Sequence, residues 1–306
     1  MRGKIVVAVS LCALTGAMSV TPAIAERLCA AYRPNGPHPL LTHSEPVMRW
    51  PGVKPKGGLP LQLDESGHYY WNIDNIATYG LQAWARWQTQ RIPHSLALAR
   101  HAADWLVSHQ PRDGGWRYTV TFSLAAIGID AHLSPGWVAA QAQGDSISLL
   151  TRIYRATGDR QYLNAARRAV APFDRDVRLH GVRVVFKGHV FFDGFPLTPP
   201  SLILEDFNIA LLGLADVAPY DRRAQELFRE GLRSLYWALP LFDDGIGKPL
   251  YGLTYLSYPG APRIYDPAAH TLNAQILCEL SRLSPNPQAS SYAIKWMASN
   301  PHAYYR

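Results

Sequence analysis

The segment SPGWVAAQAQGDSISLLTRIYRATGD, residues 134–159, decides the fold because its two halves make different demands. In the second half, apolar residues recur at helical spacing and predict one buried helix face. They are Ile147, Leu150, Ile153 and Tyr154. The first half crowds two amides, a glycine and an acid into the start of the helix. They are Gln141, Gln143, Gly144 and Asp145. Glycine weakens a helix, so we expect this end to lie where a neighbouring group comes close.

The helical pattern of this segment recurs along the chain in consecutive pairs joined by short loops. The further segments are IDNIATYGLQAWARWQTQ (73–90), PHSLALARHAADWLVSHQ (93–110), RQYLNAARRAVAPF (160–173), SLILEDFNIALLGLADV (201–217), DRRAQELFREGLRSLYWAL (221–239), AAHTLNAQILCELSRL (268–283) and PQASSYAIKWMAS (287–299). One helix of a pair tends to be apolar and the other amphipathic. The pattern predicts an all-α fold, an incomplete (α/α) toroid of helix pairs in which outer helices shield inner ones.

Two small β excursions interrupt the predicted helices. GVRVVFKGHVFFDGFP (181–196) is typical of a β-hairpin with a Lys-Gly turn. DDGIGKPLYGLTYLS (243–257) predicts a loop followed by a strand. Asp159 precedes the helical segment 160–173 and is predicted to cap it.

The beginning of the chain differs from the rest. Residues 1–25 contain a basic start, an apolar run and the small residues Ala-Ile-Ala, which are typical of a secretory signal peptide. We therefore expect export to the periplasm or out of the cell, with Glu26 as the first mature residue. Residues 26–68 are Pro-rich and predict an irregular arm on the α/α domain of residues 69–306. No later apolar run is long enough to suggest a membrane span.

Cysteine usage and charge give weaker indications. Cys29 and Cys278 would remain after cleavage, and an oxidising compartment permits a bridge. The apolar setting of Cys278 instead favours a buried free thiol. No Cys or His cluster has metal-ligand spacing, and we expect no metal or other cofactor. The formal charge of +7 would fall to about +5 without residues 1–25, an excess that weakly favours acidic polymers.

Several motifs occur in an order that resembles one known family. They are HAADWLVSHQPRDGGW (101–116), SPGWVAAQAQGDSISLLTRIY (134–154), QYLNAARRAVAPF (161–173), HGVRVVF (180–186), FPLTPPSLILEDFNIALLGLADV (195–217), LFREGLRSLYWALPLFDDGIG (227–247) and AAHTLNAQILCEL (268–280). The chain resembles the C-terminal domain of heparan sulfate D-glucuronyl C5-epimerase. YYWNIDNIATYGL (69–81) resembles the family segment before a β-domain, and only residues 82–100 separate it from the first motif. The resemblance therefore implies an α/α toroid without that β-domain.

The resemblance also implies inversion at C5 of a uronic acid within a polysaccharide. Inversion removes the proton next to the carboxylate and returns one to the opposite face, so acid/base groups are needed on both sides of the ring. Hydrogen-bond donors or a cation must hold the carboxylate as charge develops. A tyrosine can serve as base if nearby positive charge lowers its pKa. The expected partner is an acidic polysaccharide and not nucleic acid, while the oligomeric state stays open, with a dimer as one option.

The family's catalytic loops match this chain only in part. Tyr251 matches a family catalytic tyrosine, Asp193 an acid and Arg263 an arginine. At other positions this chain differs from the family. Gly194 stands where the family has a second acid, Phe195 and Pro267 where it has tyrosines, Thr254 where it has an arginine, and Glu205 where it has an asparagine. Since phenylalanine and proline cannot move protons, a further base is required.

Ten residues are predicted to form the site. The catalytic candidates are Tyr251, Asp193, Glu205, Tyr265 and His270, and the substrate-binding candidates are Trp137, Gln141, Gln143, Asp145 and Arg263. Tyr265 lies two residues from the lost tyrosine. Amides and carboxylates bind sugar hydroxyls, Trp137 offers a stacking face and Arg263 a carboxylate clamp.

Each candidate also has a structural alternative. These are packing for Tyr251, a turn for Asp193, a cap or core position for His270, a surface charge for Arg263 and a self-capping helix start for residues 141–145. Glu205 and Asp206 are harder to explain structurally, because an unpaired carboxylate in an apolar run is costly.

Three functions are compatible with these residues. The first is a uronate C5-epimerase. The second is a polysaccharide lyase or glycoside hydrolase on the same scaffold; a hydrolase needs a carboxylate pair, for which Asp193 and Glu205 are the candidates. The third is a non-catalytic protein that binds acidic glycans.

Overall fold

The computed structural model describes residues 46–299, which form a mostly helical domain with small antiparallel strand pairs. The helices are α1 (Ile73–Gln90), α2 (Pro93–Ser108), α3 (Ala140–Thr157), α4 (Arg160–Arg168), α5 (Ala171–Asp174), α6 (Leu204–Val217), α7 (Arg222–Phe242), α8 (Thr254–Ser257), α9 (Pro267–Leu283) and α10 (Pro287–Ser299). The strands are β1 (Val53–Lys56), β2 (Leu59–Leu63), β3 (Tyr69–Tyr70), β4 (Phe122–Ser123), β5 (His132–Leu133), β6 (Arg183–Phe186) and β7 (His189–Phe192). The predicted helical fold class is confirmed. The predicted signal peptide, residues 1–25, lies outside the described residues.

Four helix pairs organise the domain. They are α1 with α2, α3 with α4, α6 with α7 and α9 with α10. The first helices of these pairs also contact one another in the order α1, α3, α6, α9, and α3 with α6 makes the largest contact. The predicted pairing is therefore confirmed, whereas closure of the array into an incomplete toroid stays a prediction.

Side-chain caps fix the beginnings of several helices. Asp159 caps α4 as predicted, since its Oδ1 accepts a hydrogen bond from Gln161 N at 3.0 Å. Asn72 caps α1 by accepting from Asn75 N at 3.2 Å. Asp266 caps α9, because its Oδ1 accepts hydrogen bonds from Ala268 N at 2.7 Å and Ala269 N at 2.9 Å. Pro267 is well placed after this cap, because the first helical position needs no N–H donor.

Glycines allow the backbones of α3 and α6 to touch. A methyl group on Gly144 would lie 2.6 Å from Ile209 O, and one on Gly213 would lie 2.4 Å from Gly144 O. The expectation that Gly144 admits a close neighbour is thus confirmed, and the neighbour is the α6 backbone. Further along α3, Ser148 Oγ donates to Asp216 Oδ2 at 2.7 Å. Both helices therefore run in the same direction, and their beginnings lie at the same end of the domain.

Gly144→Ala is expected to destabilise the protein by at least about 2 kcal/mol, because the added methyl group would overlap backbone that cannot move aside cheaply. For a domain of this size the melting temperature should fall by about 4–8 °C. Gly213→Ala should have a similar effect, since it fills the same crossing. Thermal unfolding of the two variants tests this, and unchanged melting temperatures would contradict the described crossing.

The β excursions differ partly from expectation. β6 and β7 form the predicted hairpin, and Lys187 and Gly188 at its turn have positive φ angles of 49° and 81°. The N-terminal arm is not irregular throughout, because β1, β2 and β3 form an antiparallel sheet. Pro55 and Pro60 face each other in that sheet, and proline conceals a strand signal. The segment 243–257 holds no strand, only isolated bridges and the short helix α8.

Two other expectations concern the state of Cys278 and the presence of a membrane-spanning helix. Cys278 is disulfide-bonded, which corrects the expectation of a free thiol. Cys278 is the one cysteine among residues 46–299, so its partner lies outside them. Across residues 46–299, the helices are either too short or too polar to cross a membrane.

Candidate active site

Polar side chains from three helices and one loop meet at the end of the domain where α1, α3 and α6 begin. Asp74, Gln141, Glu205 and Tyr251 are partly exposed there, and Asp206 is 5% exposed. We call these five residues the acidic site. Helix α3 contacts both α1, which carries Asp74, and α6, which carries Glu205.

Glu205 is an acid that can exchange protons near neutral pH. It is the second residue of α6. Burial, followed by the charges of Asp74 and Asp266, raises the pKa of Glu205 to about 7. A group with such a pKa can both accept and release a proton at neutral pH, as a general acid/base requires. The sequence singled out this residue, and the structure places it in the acidic site.

Asp206 fills the space beside Gly194. A methyl group on Gly194 would lie 1.7 Å from Asp206 Oδ2. Burial, followed by the charges of Glu205, Asp193 and Asp74, holds the pKa of Asp206 well above its usual range. The raised pKa favours the protonated carboxyl, which can donate a hydrogen bond. An acid from α6 thus occupies the place next to Gly194, where the resemblance implies a loop acid.

Tyr251 is held at the beginning of α6 by its backbone. Its carbonyl accepts a hydrogen bond from Leu204 N at 3.0 Å, and its amide donates to Ile264 O at 2.9 Å. Burial, followed by the charges of Asp206, Glu205 and Asp266, raises the pKa of the phenol far above its usual value. The condition stated for a tyrosine base, a pKa lowered by nearby positive charge, is therefore not met at Tyr251. The hydroxyl of Tyr251 remains protonated and can act as a donor.

Asp74 and Asp145 form a hydrogen-bonded acid pair that connects α1 to α3. Gln141 Nε2 donates to Asp74 Oδ2 at 3.3 Å, and Thr78 Oγ1 donates to Asp145 Oδ2 at 3.4 Å. Asp145 is fully buried, so its predicted contact with sugar is corrected: it contacts Asp74 instead. Gln141 is partly exposed and contributes one amide to the acidic site.

Asp74 was missed by the sequence analysis. It lies in the first turn of α1, where acids are common because they favour the helix N-terminus. An acid within the segment IDNIATYGL, whose other positions are mostly buried, was the available signal. Burial raises the pKa of Asp74 to about 6, although the hydrogen bond from Asp145 lowers it in part.

Aromatic rings form a wall beside α1. Trp137 stacks on Tyr118 with ring centroids 4.1 Å apart, and Phe122 stacks on Phe195 at 5.5 Å. The hydroxyl of Tyr118 donates to Asn72 Oδ1, the cap of α1, at 3.4 Å. Trp137 is 7% exposed and Tyr118 covers one face of its ring, but it also lines a cavity, so its predicted role as a sugar-stacking face stays a prediction. The hydrogen bond of Tyr118 connects the wall to the beginning of α1.

Gln143 is a core residue and does not line the acidic site. Its side chain is fully buried. Its Oε1 accepts from Trp116 N at 3.0 Å, and its Nε2 donates to Gly114 O and Ala169 O at 3.1 and 3.0 Å. These bonds use both amide protons, so the prediction that Gln143 binds substrate is corrected.

Asp193 organises a loop. It is 1% exposed, and its Oδ1 accepts from Ser201 Oγ at 2.6 Å. Its Oδ2 accepts from Ser201 N at 2.7 Å and from Leu202 N at 3.3 Å. Since these donors occupy both oxygens, the structure accounts for Asp193 as a support for the segment that leads into α6. It does not face Glu205 as a free carboxylate.

Tyr265 and His270 bond each other at the beginning of α9. Tyr265 Oη lies 2.9 Å from His270 Nδ1, and His270 Nε2 donates to Trp296 O on α10 at 2.7 Å. His270 Nδ1 is therefore the acceptor of the tyrosine proton. His270 is 1% exposed, and Lys248 Nζ lies 4.9 Å from the ring centroid of Tyr265. Both side chains tie the beginning of α9 to α10 and the loop 243–248.

Arg263 is exposed and lies on the loop that pairs with Tyr251. Its guanidinium is 5.2 Å from the ring centroid of Tyr255. Thr254, which stands at a family arginine position, is buried and donates to Ser201 O at 3.2 Å. The charged neighbours that shift Glu205 and Tyr251 are all acidic. Within residues 46–299, no group of three or more His, Cys, Asp or Glu is arranged to hold a metal ion.

Comparisons with known proteins agree on one family. The family described as D-glucuronyl C5-epimerase C-terminus matches residues 110–298. D-glucuronyl C5-epimerase of Caenorhabditis elegans is 33% identical over 222 residues, which are 68% of this chain and 35% of that protein. An uncharacterised protein of Methanocaldococcus jannaschii is 32% identical over 136 residues, 42% of each chain. The chain thus spans about a third of the worm protein and less than half of the archaeal one. This chain belongs to the D-glucuronyl C5-epimerase C-terminal family.

Proposed function

We propose that this protein inverts C5 of a uronic acid within an acidic polysaccharide, and that the acidic site carries out the proton transfers. The observation that carries the proposal is the position of Glu205, with a pKa of about 7, beside Tyr251 and Asp206, whose pKa values are both raised. Family membership supports the reaction class. The substrate of the worm enzyme is not transferred to this chain, because only part of that protein is matched.

Glu205 acts as the general base in this proposal. Its carboxylate removes the proton at C5, and the electron pair of the C–H bond moves into the adjacent substrate carboxylate. A positioned base contributes about 100-fold to 10,000-fold to such a step. The pKa of about 7 suits this role, because a stronger base would remain protonated at neutral pH and a weaker one would remove the proton less readily.

Asp206 and Tyr251 hold the substrate carboxylate as negative charge develops on it. Burial and acidic neighbours raise the pKa values of both groups and so favour their protonated forms, which donate hydrogen bonds. Hydrogen-bond donors aimed at the developing charge replace the arginine that the resemblance implies at Thr254. Ionised carboxylates at these positions would instead repel the substrate.

A product assay separates this proposal from its alternatives. Uronic-acid polysaccharides incubated with the protein should be inverted at C5 without becoming shorter. New chain ends that absorb in the ultraviolet would indicate a lyase, which begins with the same proton removal. New reducing ends without that absorption would indicate a hydrolase, but the engaged oxygens of Asp193 leave Glu205 without its proposed carboxylate partner. Binding without any product would favour a glycan-binding protein.

Export is a further part of the proposal. We expect residues 1–25 to be removed, because they combine a basic start, an apolar run and a small-residue cleavage site. Sequencing the N-terminus of protein recovered from the periplasm or the medium should give Glu26. Recovery of the intact N-terminal methionine there would contradict this expectation.

A further inference from the structure

Three neighbouring aromatic rings lie at the end of the domain where α1 begins and α2 ends. Trp71 directly precedes the cap of α1, and its ring centroid lies 5.7 Å from that of Trp105, in the last turn of α2. Trp105 in turn stacks on His109, with centroids 4.1 Å apart. Both tryptophans are partly exposed and His109 is exposed, so each ring keeps surface that a ligand can contact.

An exposed arginine continues this row of rings. Arg168 is the last residue of α4, and its Nε donates to Gln110 Oε1 at 3.0 Å. Gln110 directly follows His109, so the arginine is fixed beside the stacked rings. Within residues 46–299, no acid lies at ion-pair distance from Arg168. We call Trp71, Trp105, His109 and Arg168 the aromatic ledge.

Chain connectivity and one hydrogen bond join the aromatic ledge to the acidic site. Trp71 is three residues before Asp74 of the acidic site, so their Cα atoms are at most about 11 Å apart. At the other end of the ledge, Ala169 directly follows the arginine, and its carbonyl accepts from Gln143 Nε2 at 3.0 Å. Gln143 is two residues after Gln141 of the acidic site. One extended ligand can therefore reach both surfaces.

The acids next to the aromatic ledge in the chain have partners of their own. Asp104, on α2, accepts a hydrogen bond from Tyr162 Oη at 2.5 Å. Asp113, in the loop after α2, pairs with Arg117 and with Arg175. Neither acid pairs with the arginine of the ledge, so its positive charge is left for a ligand.

The chemistry of the aromatic ledge matches an acidic polysaccharide. Tryptophan rings offer apolar surface to the C–H faces of sugar rings, and a guanidinium binds a carboxylate through charge-assisted hydrogen bonds. The five residues of the acidic site include three acids and no cation. A polyanion that enters the acidic site therefore needs a cation beside it to offset the repulsion between like charges.

We propose that the aromatic ledge binds the part of an acidic polysaccharide that extends beyond the reacting uronate. Sugar rings pack on Trp71 and Trp105, and a carboxylate of the polymer pairs with Arg168. This inference rests on the substrate class of the proposed function and adds the surface along which the polymer leaves the acidic site. It gives the protein a reason to act on polymers, because a single sugar cannot contact the ledge and the acidic site together.

Trp71→Leu should weaken the binding of polyglucuronate by about 10-fold, the effect of one lost aromatic contact. Leucine keeps apolar packing against the core but removes the ring, and Trp71→Phe should restore most of the affinity. Trp87→Leu is the matched control, since Trp87 is also partly exposed and lies beside Arg91 near the far end of α1. Calorimetric titration with polyglucuronate measures the affinities, and thermal melting shows that each variant is folded.

A second pair of variants tests the charge of the ledge. Arg168→Gln should weaken polyglucuronate binding by about 2-fold to 5-fold at low salt, the range for an exposed ion pair. The difference from the wild type should disappear at high salt, where exposed charges are screened. The deficit of Trp71→Leu should persist there, because packing on a ring does not depend on charge. Arg160→Gln removes an exposed arginine from the opposite end of α4 and is the matched control.

The outcomes distinguish this inference from the proposed function, because binding is measured without turnover. If folded Trp71→Leu binds polyglucuronate as tightly as the wild type, the inference is wrong and the epimerase function is unaffected. Equal losses in the two control variants would place the polymer elsewhere and also overturn it, as would a wild type without affinity for polyglucuronate. A wild type that binds through the ledge but never inverts C5 would refute the epimerase function and leave the inference standing.

Discussion

Glu205→Gln is expected to lower C5 proton exchange by about 100-fold to 10,000-fold, because glutamine cannot accept the C5 proton. It removes one carboxylate from the acidic site while keeping the size of the side chain. Exchange of C5 hydrogen with deuterated water, followed by NMR, measures the effect. Glu226→Gln is the matched control, since Glu226 is an exposed acid at the beginning of α7 that bonds arginines. Equal exchange in both variants and the wild type would contradict the role of Glu205.

The pH dependence of thermal stability shows whether the Glu205→Gln variant folds as the wild type does. The pKa of Glu205 is raised from 4.5 to about 7 in the folded protein, so the folded state binds the proton more tightly than the unfolded state does. Ionisation therefore costs stability as pH rises from about 4.5 to about 7, and the cost persists above that range. The variant should match the wild type in thermal stability near pH 4 and exceed it, by about 1–3 kcal/mol, near pH 8.

Tyr251→Phe is expected to lower C5 exchange by about 100-fold to 1,000-fold, the usual cost of one donor to a developing oxyanion. The ring and its packing remain, and the backbone bonds to Leu204 and Ile264 do not involve the hydroxyl. The melting temperature should therefore barely change. Tyr292→Phe removes a hydroxyl from α10, where the ring packs against Trp296, and should leave exchange unchanged. Full activity of Tyr251→Phe would show that this hydroxyl does not contact the reacting carboxylate.

Much of the helical scaffold is predictable from sequence, because each amphipathic helix must bury one face and therefore carries a 3.6-residue period. Gly144 is informative for the same reason, since a glycine within such a period indicates close approach of a neighbour. The arm was less predictable. Its strands contain Pro55 and Pro60 and gain their order from pairing with each other, which local patterns do not record.

The site was predictable only where an acid interrupts an apolar run. Glu205 gave that signal, and the structure places it beside Tyr251. Asp74 resembled an ordinary acid in a first helical turn, and its importance arises from contact with Asp145, 71 positions later in the chain. Asp193 matched a family acid, yet its oxygens are taken up by Ser201 and Leu202. Sequence identifies acids, whereas hydrogen-bond partners determine which of them remain available.

The central claim is that the acidic site moves the C5 proton of a uronate. Its most direct test is NMR of uronic-acid polysaccharides after incubation with the wild-type protein in deuterated water. We expect residues inverted at C5, each carrying solvent deuterium at that carbon, in polymers of unchanged length. Inverted residues that retain the original hydrogen, or no inversion of any uronate polymer, would contradict it.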